Sequence, residues 1–360
     1  MVGKSSKRGF LKGAAVLGVV TTILLLGSLA GTGTFPKSAA AAEKVTFLTD
    51  YVPYEGTESF IWWAKEKGYY QKMGLEVDIK PGAEAASPLR QLAAGIVDFF
   101  VSSPTALVAA RHRGVPVVSV AVIFQENQNT YVSLAKNNIK TLKDFADRSV
   151  AAALGDDEEF ILRLMLNKNL SPEEAKKVKI VPGVVGLGPD LAILSAGKAD
   201  VIATWKVISF IMKKMGQELN EVHASDYGVK VPSAVIATTD RVIKERPQMV
   251  TKFLQALMRG MQDQMDPARL EEVATYAQKY QARPTTVEFL KEYIGLTHKL
   301  FQTPDTEKNG LGWQTEEAWA QTQQLLLDNK IIKTKLPIRN FFNNSLLKKI
   351  YKEGKLIWPS

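Results

Sequence analysis

Two kinds of segment alternate along most of the chain. Short apolar runs, such as VTFLTD at 45–50 and VDFFVS at 97–102, predict β-strands. Between them, stretches such as 59–68 and 104–113 place apolar residues at helical spacing and end at or just before a glycine, which predicts helices. This β-α-β-α-β order predicts a mostly parallel sheet with helices on its faces, an α/β fold.

The same pattern begins again near residue 130. TYVSLA at 130–135 and ADVIATW at 199–205 read as strands, and VPSAVIATT at 231–239 resembles a return to the first sheet. The chain after Asp240 is largely helical. We therefore expect two α/β lobes joined by two crossings, an arrangement that permits hinge closure around a ligand in the cleft between them. The predicted ranges are 43–127 for the first part of lobe 1, 128–229 for lobe 2, and 230–360 for the rest of lobe 1 with the C-terminal helices.

The N-terminal segment has the layout of a secretory signal peptide, which we place at residues 1–42. A basic start precedes an apolar stretch at 14–30, and three alanines at 40–42 offer a cleavage site. SKRGFLK at 6–12 resembles a twin-arginine export motif with Lys7 in place of one arginine, so the twin-arginine and general secretory routes both stay open. The alternative is an uncleaved membrane anchor. We expect a periplasmic or otherwise extracytoplasmic protein.

Composition narrows the classes of function. The 360 residues contain no cysteine, which excludes disulfides, thiolate metal sites and a thiol nucleophile. The formal net charge is +9, but residues 1–42 carry five Lys or Arg and no acids, which leaves 9 − 5 = +4 for the rest. So mild a charge does not indicate a nucleic-acid partner.

Candidate site residues of the first lobe follow its strands, because ligands of such sheets collect at the carboxyl ends of the strands. Asp50, Tyr51 and Tyr54 come after the first strand, and tyrosines offer a flat apolar face with one hydroxyl. Ser102 and Ser103 stand where a strand meets a helix, so their hydroxyls and the free amides there can bind a polar ligand atom. Lobe packing for the tyrosines and simple helix capping for the serines are the alternatives.

The stretch LGDDEEF at 154–160 places acids where a strand meets a helix. Free amides and the helix dipole usually favour an anion at such a place, yet Gly155 is followed by Asp156 and Asp157. The usual calcium-loop spacing is absent, so no metal site is expected. Glu158 and Glu159 read as ordinary acids of a helix start.

Three more candidates lie at or just after strand ends, with Gln125 at the first crossing between the lobes. Gln125 ends the fourth strand and either meets the ligand or lines the hinge. Trp205 ends the strand ADVIATW, where the alternative is a core tryptophan, and Lys206 follows it as a cation beside the expected cleft or as a solvated charge.

Several longer stretches carry a family resemblance. AKEKGYYQKMGLEVDI (64–79), LAAGIVDFFVSSPTALVAARHRGVPVVSV (92–120), IKTLKDFADRSVAAA (139–153) and LSAGKADVIATW (194–205) resemble a periplasmic solute-binding protein of an ABC importer. The relevant branch includes alkanesulfonate-, taurine-, nitrate- and thiamine-pyrimidine-precursor-binding proteins. The resemblance implies a type II periplasmic binding fold with an interlobe ligand cleft, no catalytic activity and no cofactor. It also implies a monomer that delivers its ligand to a permease with its ATPase, and an aromatic at Trp205 that stacks on the ligand.

Two departures from the family bear on the ligand. The pyrimidine-precursor branch commonly follows its tryptophan with Asn-x-Glu, whereas Ile208 occupies the glutamate position here. The sulfonate and nitrate branches have a Gly-, Ser- and Thr-rich loop where this chain has Asp156 and Asp157. An amino-bearing ring near these acids, or a zwitterion with its anion near Lys206, fits both charges.

The expected function is capture of a small polar organic solute, namely a sulfonate, an amino-sulfonate or a pyrimidine-like molecule, for import. A ligand sensor or membrane-anchored interaction protein is one alternative. A pyrimidine-synthase-like enzyme is another, although that branch uses a cysteine-rich segment and this chain has no cysteine.

Overall fold

Two five-stranded sheets organise the chain in a computed structural model that describes residues 41–49, 58–81, 88–155, 157–184, 186–281 and 284–359. The first sheet has the order β2-β1-β3-β10-β4, and the second has the order β7-β6-β8-β5-β9. The strands are β1 (Glu43–Thr49), β2 (Leu75–Pro81), β3 (Phe99–Ser102), β4 (Val117–Phe124), β5 (Asn129–Leu134), β6 (Ser149–Ala152), β7 (Lys179–Pro182), β8 (Val201–Trp205), β9 (Leu219–His223) and β10 (Ala234–Thr239), followed by a hairpin of β11 (Tyr351–Lys352) and β12 (Lys355–Leu356).

Helices connect and cover these strands. Those before β10 are α1 (Ser59–Glu66), α2 (Tyr69–Lys72), α3 (Pro88–Ala94), α4 (Pro104–His112), α5 (Asp157–Asn169), α6 (Pro172–Lys176), α7 (Leu187–Ser195) and α8 (Lys206–Lys214). Those after it are α9 (Asp240–Glu245), α10 (Pro247–Met265), α11 (Leu270–Gln278), α12 (Val287–Phe301), α13 (Pro304–Asn309), α14 (Glu316–Asp328) and α15 (Leu347–Ile350).

Each sheet contains one strand that runs against the other four. In the first sheet, β10 is antiparallel to β3 and β4, whereas β1 is parallel to β2 and β3. In the second sheet, β5 is antiparallel to β8 and β9, whereas β6 is parallel to β7 and β8. The prediction of a mostly parallel sheet therefore holds for strand direction but misses the inserted strand. β5 and β10 enter directly from a crossing between the sheets, without the helical crossover that a parallel neighbour needs.

The chain passes from the first sheet to the second after Phe124 and returns before Ala234. The two crossings are bonded to each other: Asn127 Nδ2 donates to the Val231 carbonyl at 3.1 Å, and the Gln128 amide donates to Ser233 Oγ at 2.8 Å. The predicted lobe boundaries stay predictions. The predicted signal peptide lies outside the described residues apart from positions 41 and 42, and no described helix combines the length and apolar character needed to cross a membrane.

The core of the first lobe is built from aromatic rings on α10 and the sheet. Phe253 stacks on Phe99 with ring centroids 3.9 Å apart, and it also contacts Phe47 and Tyr70 at 5.2 and 5.7 Å. Gly260 lets α10 approach α1, because a Cβ at this position would lie 2.5 Å from the Phe60 carbonyl oxygen. The apolar period of MVTKFLQALMRGM thus becomes the buried face of α10.

The late helices contact both lobes. α14 packs against α4 of the first lobe and α5 of the second. α12 meets α8 through Phe210, whose ring centroid lies 5.8 Å from that of Phe289 and 6.3 Å from that of Tyr293. The second lobe is therefore braced from two sides by C-terminal elements that the sequence showed only as amphipathic helices.

Candidate functional site

The carboxyl ends of the parallel strands bring together most of the predicted site residues that the structure describes. α4 starts immediately after β3, α5 starts after β6, and α8 starts after β8. Four predicted residues, namely Asp50, Tyr51, Tyr54 and Asp156, lie outside the described residues. The roles of all the predicted site residues stay predictions.

Ser102 and Ser103 belong to the start of α4. Ser102 is 2% exposed, and its hydroxyl donates to the Ser103 carbonyl at 3.2 Å. Ser103 is the N-cap, with its Oγ accepting from the Ala106 amide at 3.2 Å. Its hydroxyl also lies 3.0 Å from Thr105 Oγ1. Both serines thus have partners within the protein, as the capping alternative requires.

A hydrogen bond joins the first turns of α4 and α5. Thr105 Oγ1 donates to Asp157 Oδ1, and Thr105 is only 3% exposed. Asp157 therefore faces the first lobe and not open solvent. Sequence reasoning singled out Asp157 but missed Thr105, because a threonine inside an apolar helix start carries no local signal of a distant partner.

The amide of Gly155 is already occupied. Glu159 Oε2 accepts from it at 2.7 Å, and Glu159 also pairs with Arg163 at 2.7 Å. Burial raises the pKa of Glu159, but the Gly155 amide and Arg163 outweigh this and leave the pKa below its usual range. The glycine adopts a φ of +79°, as the turn into α5 requires. The free amide that usually attracts an anion at this place is thus satisfied by the chain itself.

Glu158 corrects the expectation of an ordinary helix-start acid. It is 5% exposed, and its Oε1 accepts from Trp205 Nε1 at 3.0 Å. The cause is helical period: Glu158, Ile161, Leu162 and Met165 occupy one buried face of α5. This i, i+3, i+4, i+7 spacing was present in the sequence, and it could have placed the glutamate inside.

Lys206 is engaged by groups of the crossing region. Its Nζ lies 2.5 Å from Glu126 Oε1 and 3.2 Å from Ser225 Oγ. Burial raises the pKa of Glu126, but the hydrogen bonds from Lys206 and Ser225 and the charge of Lys206 lower it more, so the net pKa is below its usual range. The carboxylate is therefore ionised at neutral pH and neutralises the cation beside Trp205.

Gln125 holds the C-terminal segment. Its side-chain Nε2 donates to the Trp313 carbonyl at 2.9 Å and to the Val122 carbonyl at 3.3 Å. Its backbone N–H donates to the Leu300 carbonyl at 2.6 Å. These contacts agree with the hinge-lining alternative, in which Gln125 fixes the crossing and does not reach the ligand.

A second buried carboxylate lies beneath the same edge. Asp190, in the first turn of α7, is 1% exposed and accepts from Thr204 Oγ1 at 2.6 Å and from the Gly186 amide at 3.3 Å. Burial raises its pKa to about 6, although both hydrogen bonds oppose the rise. The sequence analysis missed Asp190, whose partner Thr204 immediately precedes Trp205.

Other features of the described residues do not contribute to this edge. No group of three or more His, Asp or Glu among them is arranged to hold a metal ion. A cavity of about 360 Å³ lies between α10, α13 and the C-terminal hairpin, lined by residues that include Met265, Thr306 and Leu311. It shares no residue with the predicted site.

Comparisons with known proteins agree with this architecture. The model of the family described as NMT1/THI5 like matches residues 58–269, more than half of the 360-residue chain. The formylaminopyrimidine-binding protein of Halalkalibacterium halodurans is 24% identical over 316 residues, which cover 86% of this chain and 92% of that protein. The riboflavin-binding protein RibY of Chloroflexus aurantiacus is 21% identical over 348 residues, covering 92% of this chain and 96% of that protein.

Solved structures share the fold at low identity. The periplasmic aliphatic sulphonate binding protein SsuA of Escherichia coli superposes with a TM-score of 0.64 and 14% identity, covering 83% of this chain and 91% of that chain. The desulfurization enzyme DSZB superposes with a TM-score of 0.55 and 15% identity, covering 85% of this chain and 98% of that chain. The chain therefore has the fold of periplasmic binding proteins, and an enzyme shares that fold.

Proposed function

Because the chain belongs to the NMT1/THI5-like family, we propose that it is the exported substrate-binding component of an ABC importer and that it captures an amine-bearing ring of the pyrimidine-like class. The ligand binds between the lobes at the carboxyl ends of β3, β6 and β8. Closure of the lobes around it presents the loaded protein to a permease with its ATPase. No cofactor takes part.

The observation that carries the choice of ligand is the pairing of Lys206. A sulfonate or nitrate needs a cation or free amides, but Lys206 is neutralised by Glu126 and the Gly155 amide is taken by Glu159. The first turn of α5 carries two acids instead, Asp157 and Glu158. Like charges repel a bare anion at such a place, whereas an amine of the ligand donates to Asp157.

The presence of Ile208 at the position of the family's glutamate does not contradict the proposed ligand class. Ile208 is 6% exposed and belongs to the apolar cluster of the second lobe, so position 208 offers no polar group to a ring. Asp157 at the start of α5 supplies the acceptor in its place. The ligands after which the two relatives are named, formylaminopyrimidine and riboflavin, both contain nitrogen-bearing rings and support the same class.

The test is calorimetric titration of the purified protein with formylaminopyrimidine, riboflavin, taurine, methanesulfonate and nitrate. We expect saturable binding of a nitrogen-containing ring, with the ligand recovered chemically unchanged, and no binding of methanesulfonate or nitrate. Asp157→Asn should weaken ring binding by about tenfold, the loss of one charge-assisted hydrogen bond.

Lys206→Met is the control for Asp157→Asn, because it removes the charge next to Trp205 that the proposed ligand does not use. It should change ring affinity by less than about threefold, because Lys206 already has its partners within the protein. Tight binding of methanesulfonate that disappears in Lys206→Met would overturn the proposed ligand class. Turnover of the bound ring would overturn the assignment as a binding protein.

A further inference from the structure

The contact between Trp205 and Glu158 crosses from one strand end to the neighbouring one. Trp205 is the last residue of β8, and Glu158 lies in the first turn of the helix that follows β6, the strand paired with β8. The indole Nε1 donates to Glu158 Oε1 at 3.0 Å. A half-buried ring at a ligand-binding edge is thereby attached to a fixed point of the adjacent element.

Glu158 is itself held in place. It is 5% exposed, and its backbone carbonyl accepts from the hydroxyl of Tyr131, a residue of β5, at 3.1 Å. A buried carboxyl group is costly unless it is hydrogen-bonded, and the indole N–H supplies one such bond. The side chain of Glu158 is therefore a directional restraint on the indole plane, not a passive neighbour.

We propose that Glu158 is a positioning residue that fixes the indole of Trp205 as a flat wall for the ligand ring. The inference rests on the proposed function, together with the expectation from the family resemblance that Trp205 stacks on a ring in the cleft. A preset indole does not need to lose rotamer freedom when the ligand binds, so the contact increases affinity without Glu158 touching the ligand.

Glu159 provides a matched control from the same helix start. It carries the same charge one residue later, but its partners are the Gly155 amide and Arg163, not the tryptophan. A general effect of negative charge at the start of α5 predicts equal losses from Glu158→Gln and Glu159→Gln. A positioning role predicts that substitutions of Glu158 alone disturb Trp205.

The first measurement needs no ligand. The chain has six tryptophans, so a proton–nitrogen correlation spectrum shows up to six indole signals, and Trp205→Phe identifies the one from position 205. Glu158→Gln should shift that signal, and Glu158→Leu should also speed its exchange with solvent by at least about tenfold, because its acceptor is gone. Glu159→Gln should leave it in place. An unchanged signal in both Glu158 variants would overturn the proposal.

The second measurement is a double-mutant cycle with the ring that the wild type binds in the titration panel. Glu158→Leu should weaken binding about tenfold, and Glu158→Gln, which keeps an acceptor oxygen, should recover most of the loss. In the Trp205→Phe background, which lacks the indole N–H, the same changes should alter affinity less than about twofold. Equal losses in both backgrounds would overturn the positioning role.

The two proposals fail in different ways. A wild type that binds no ring in the panel removes the proposed function, and the positioning role with it. A wild type that binds a ring with no coupling between positions 158 and 205 removes only the positioning role. If Glu158→Leu does not fold, the spectrum of Glu158→Gln decides: an unshifted indole signal from position 205 in that variant removes the positioning role.

Discussion

The first lobe joins its helices to its sheet through aromatic rings, whereas the second lobe buries carboxylates near the ends of its strands. Phe253 is fully buried among three rings of the first lobe. In the second lobe, Glu158 and Asp190 are 5% and 1% exposed and depend on Trp205 and Thr204 as donors. Apolar contacts stabilise without specific partners, but a buried carboxylate stabilises nothing unless its donors are in place.

This difference separates stability from selectivity. In the proposed function, the first lobe contributes an apolar half, and the polar groups of the second lobe distinguish one ligand from another. Directional donors and acceptors are what a selective site requires, and burying them costs desolvation free energy.

The largest expected effect is loss of the aromatic core of the first lobe. Phe253→Ala should lower the free energy of unfolding by about 3–5 kcal/mol, because it removes a fully buried ring and leaves a cavity beside Phe99 and Phe47. Urea unfolding measures the change. Ile96→Ala, at a position 66% exposed, should stay within about 0.5 kcal/mol. A loss below about 1 kcal/mol for Phe253→Ala would break the comparison.

The burial of Asp190 should make the free energy of unfolding depend on pH. The pKa of Asp190 is raised from 3.8 to about 6, so its protonated form stabilises the fold fully below pH 4, and that stabilisation is lost as pH rises through 6. Relative to Asp190→Asn, the wild type should lose about 3 kcal/mol of unfolding free energy between pH 4 and 7. Parallel stability curves for the two proteins would contradict this burial effect.

Asp200 offers a contrast of opposite sign in the same lobe. Burial raises the pKa of its carboxyl, but hydrogen bonds from Ser149 and the charge of Arg148 lower the pKa more, and the net pKa is depressed. Its contribution to stability is therefore present at neutral pH and is lost as pH falls through the depressed pKa. Asp200→Asn should differ from the wild type at pH 7 and approach it in acid, the reverse of Asp190→Asn.

The smallest expected effect concerns the hydrogen bond that joins the two lobes. Thr105→Val removes the hydroxyl that donates to Asp157 while keeping the shape, and should lower the free energy of unfolding by about 1 kcal/mol without ligand. Thr105→Ser keeps the hydroxyl and should be closer to the wild type. A larger loss for Thr105→Ser than for Thr105→Val would place the effect in the methyl group, and the contact between α4 and α5 would then depend on packing rather than on this hydrogen bond.

Much of the fold was predictable because its signals are local. Strands such as Val117–Phe124 are apolar at all but one position, and α4 starts at a serine cap followed by proline and ends before a glycine. The strand β9 escaped prediction because LNEVH has two apolar residues in five and only one position is buried. The inserted strands β5 and β10 look like any other strand in sequence, so their direction could not be predicted.

The sequence indicated which residues lie near the candidate site, but it did not indicate which side chains they contact. Asp157, Trp205 and Lys206 were identified because they follow strands whose carboxyl ends share an edge. Glu158 was read as an ordinary helix acid, although its spacing from Ile161 and Met165 places it on the buried face. Exposure changes from one residue to the next along a helix, so a run of acids that look alike in sequence can contain one buried member.

The sequence by itself determined the order of strands and helices, the placement of the turn glycines and the family resemblance, because the periods of 2 and 3.6 residues and the turn residues are local properties. Only the tertiary structure decided which charge meets which partner. Lys206 is neutralised by Glu126, 80 residues away, and Trp205 is held by Glu158, 47 residues away. Such pairs form where the sheets bring distant strand ends together, and no short stretch of sequence contains both members.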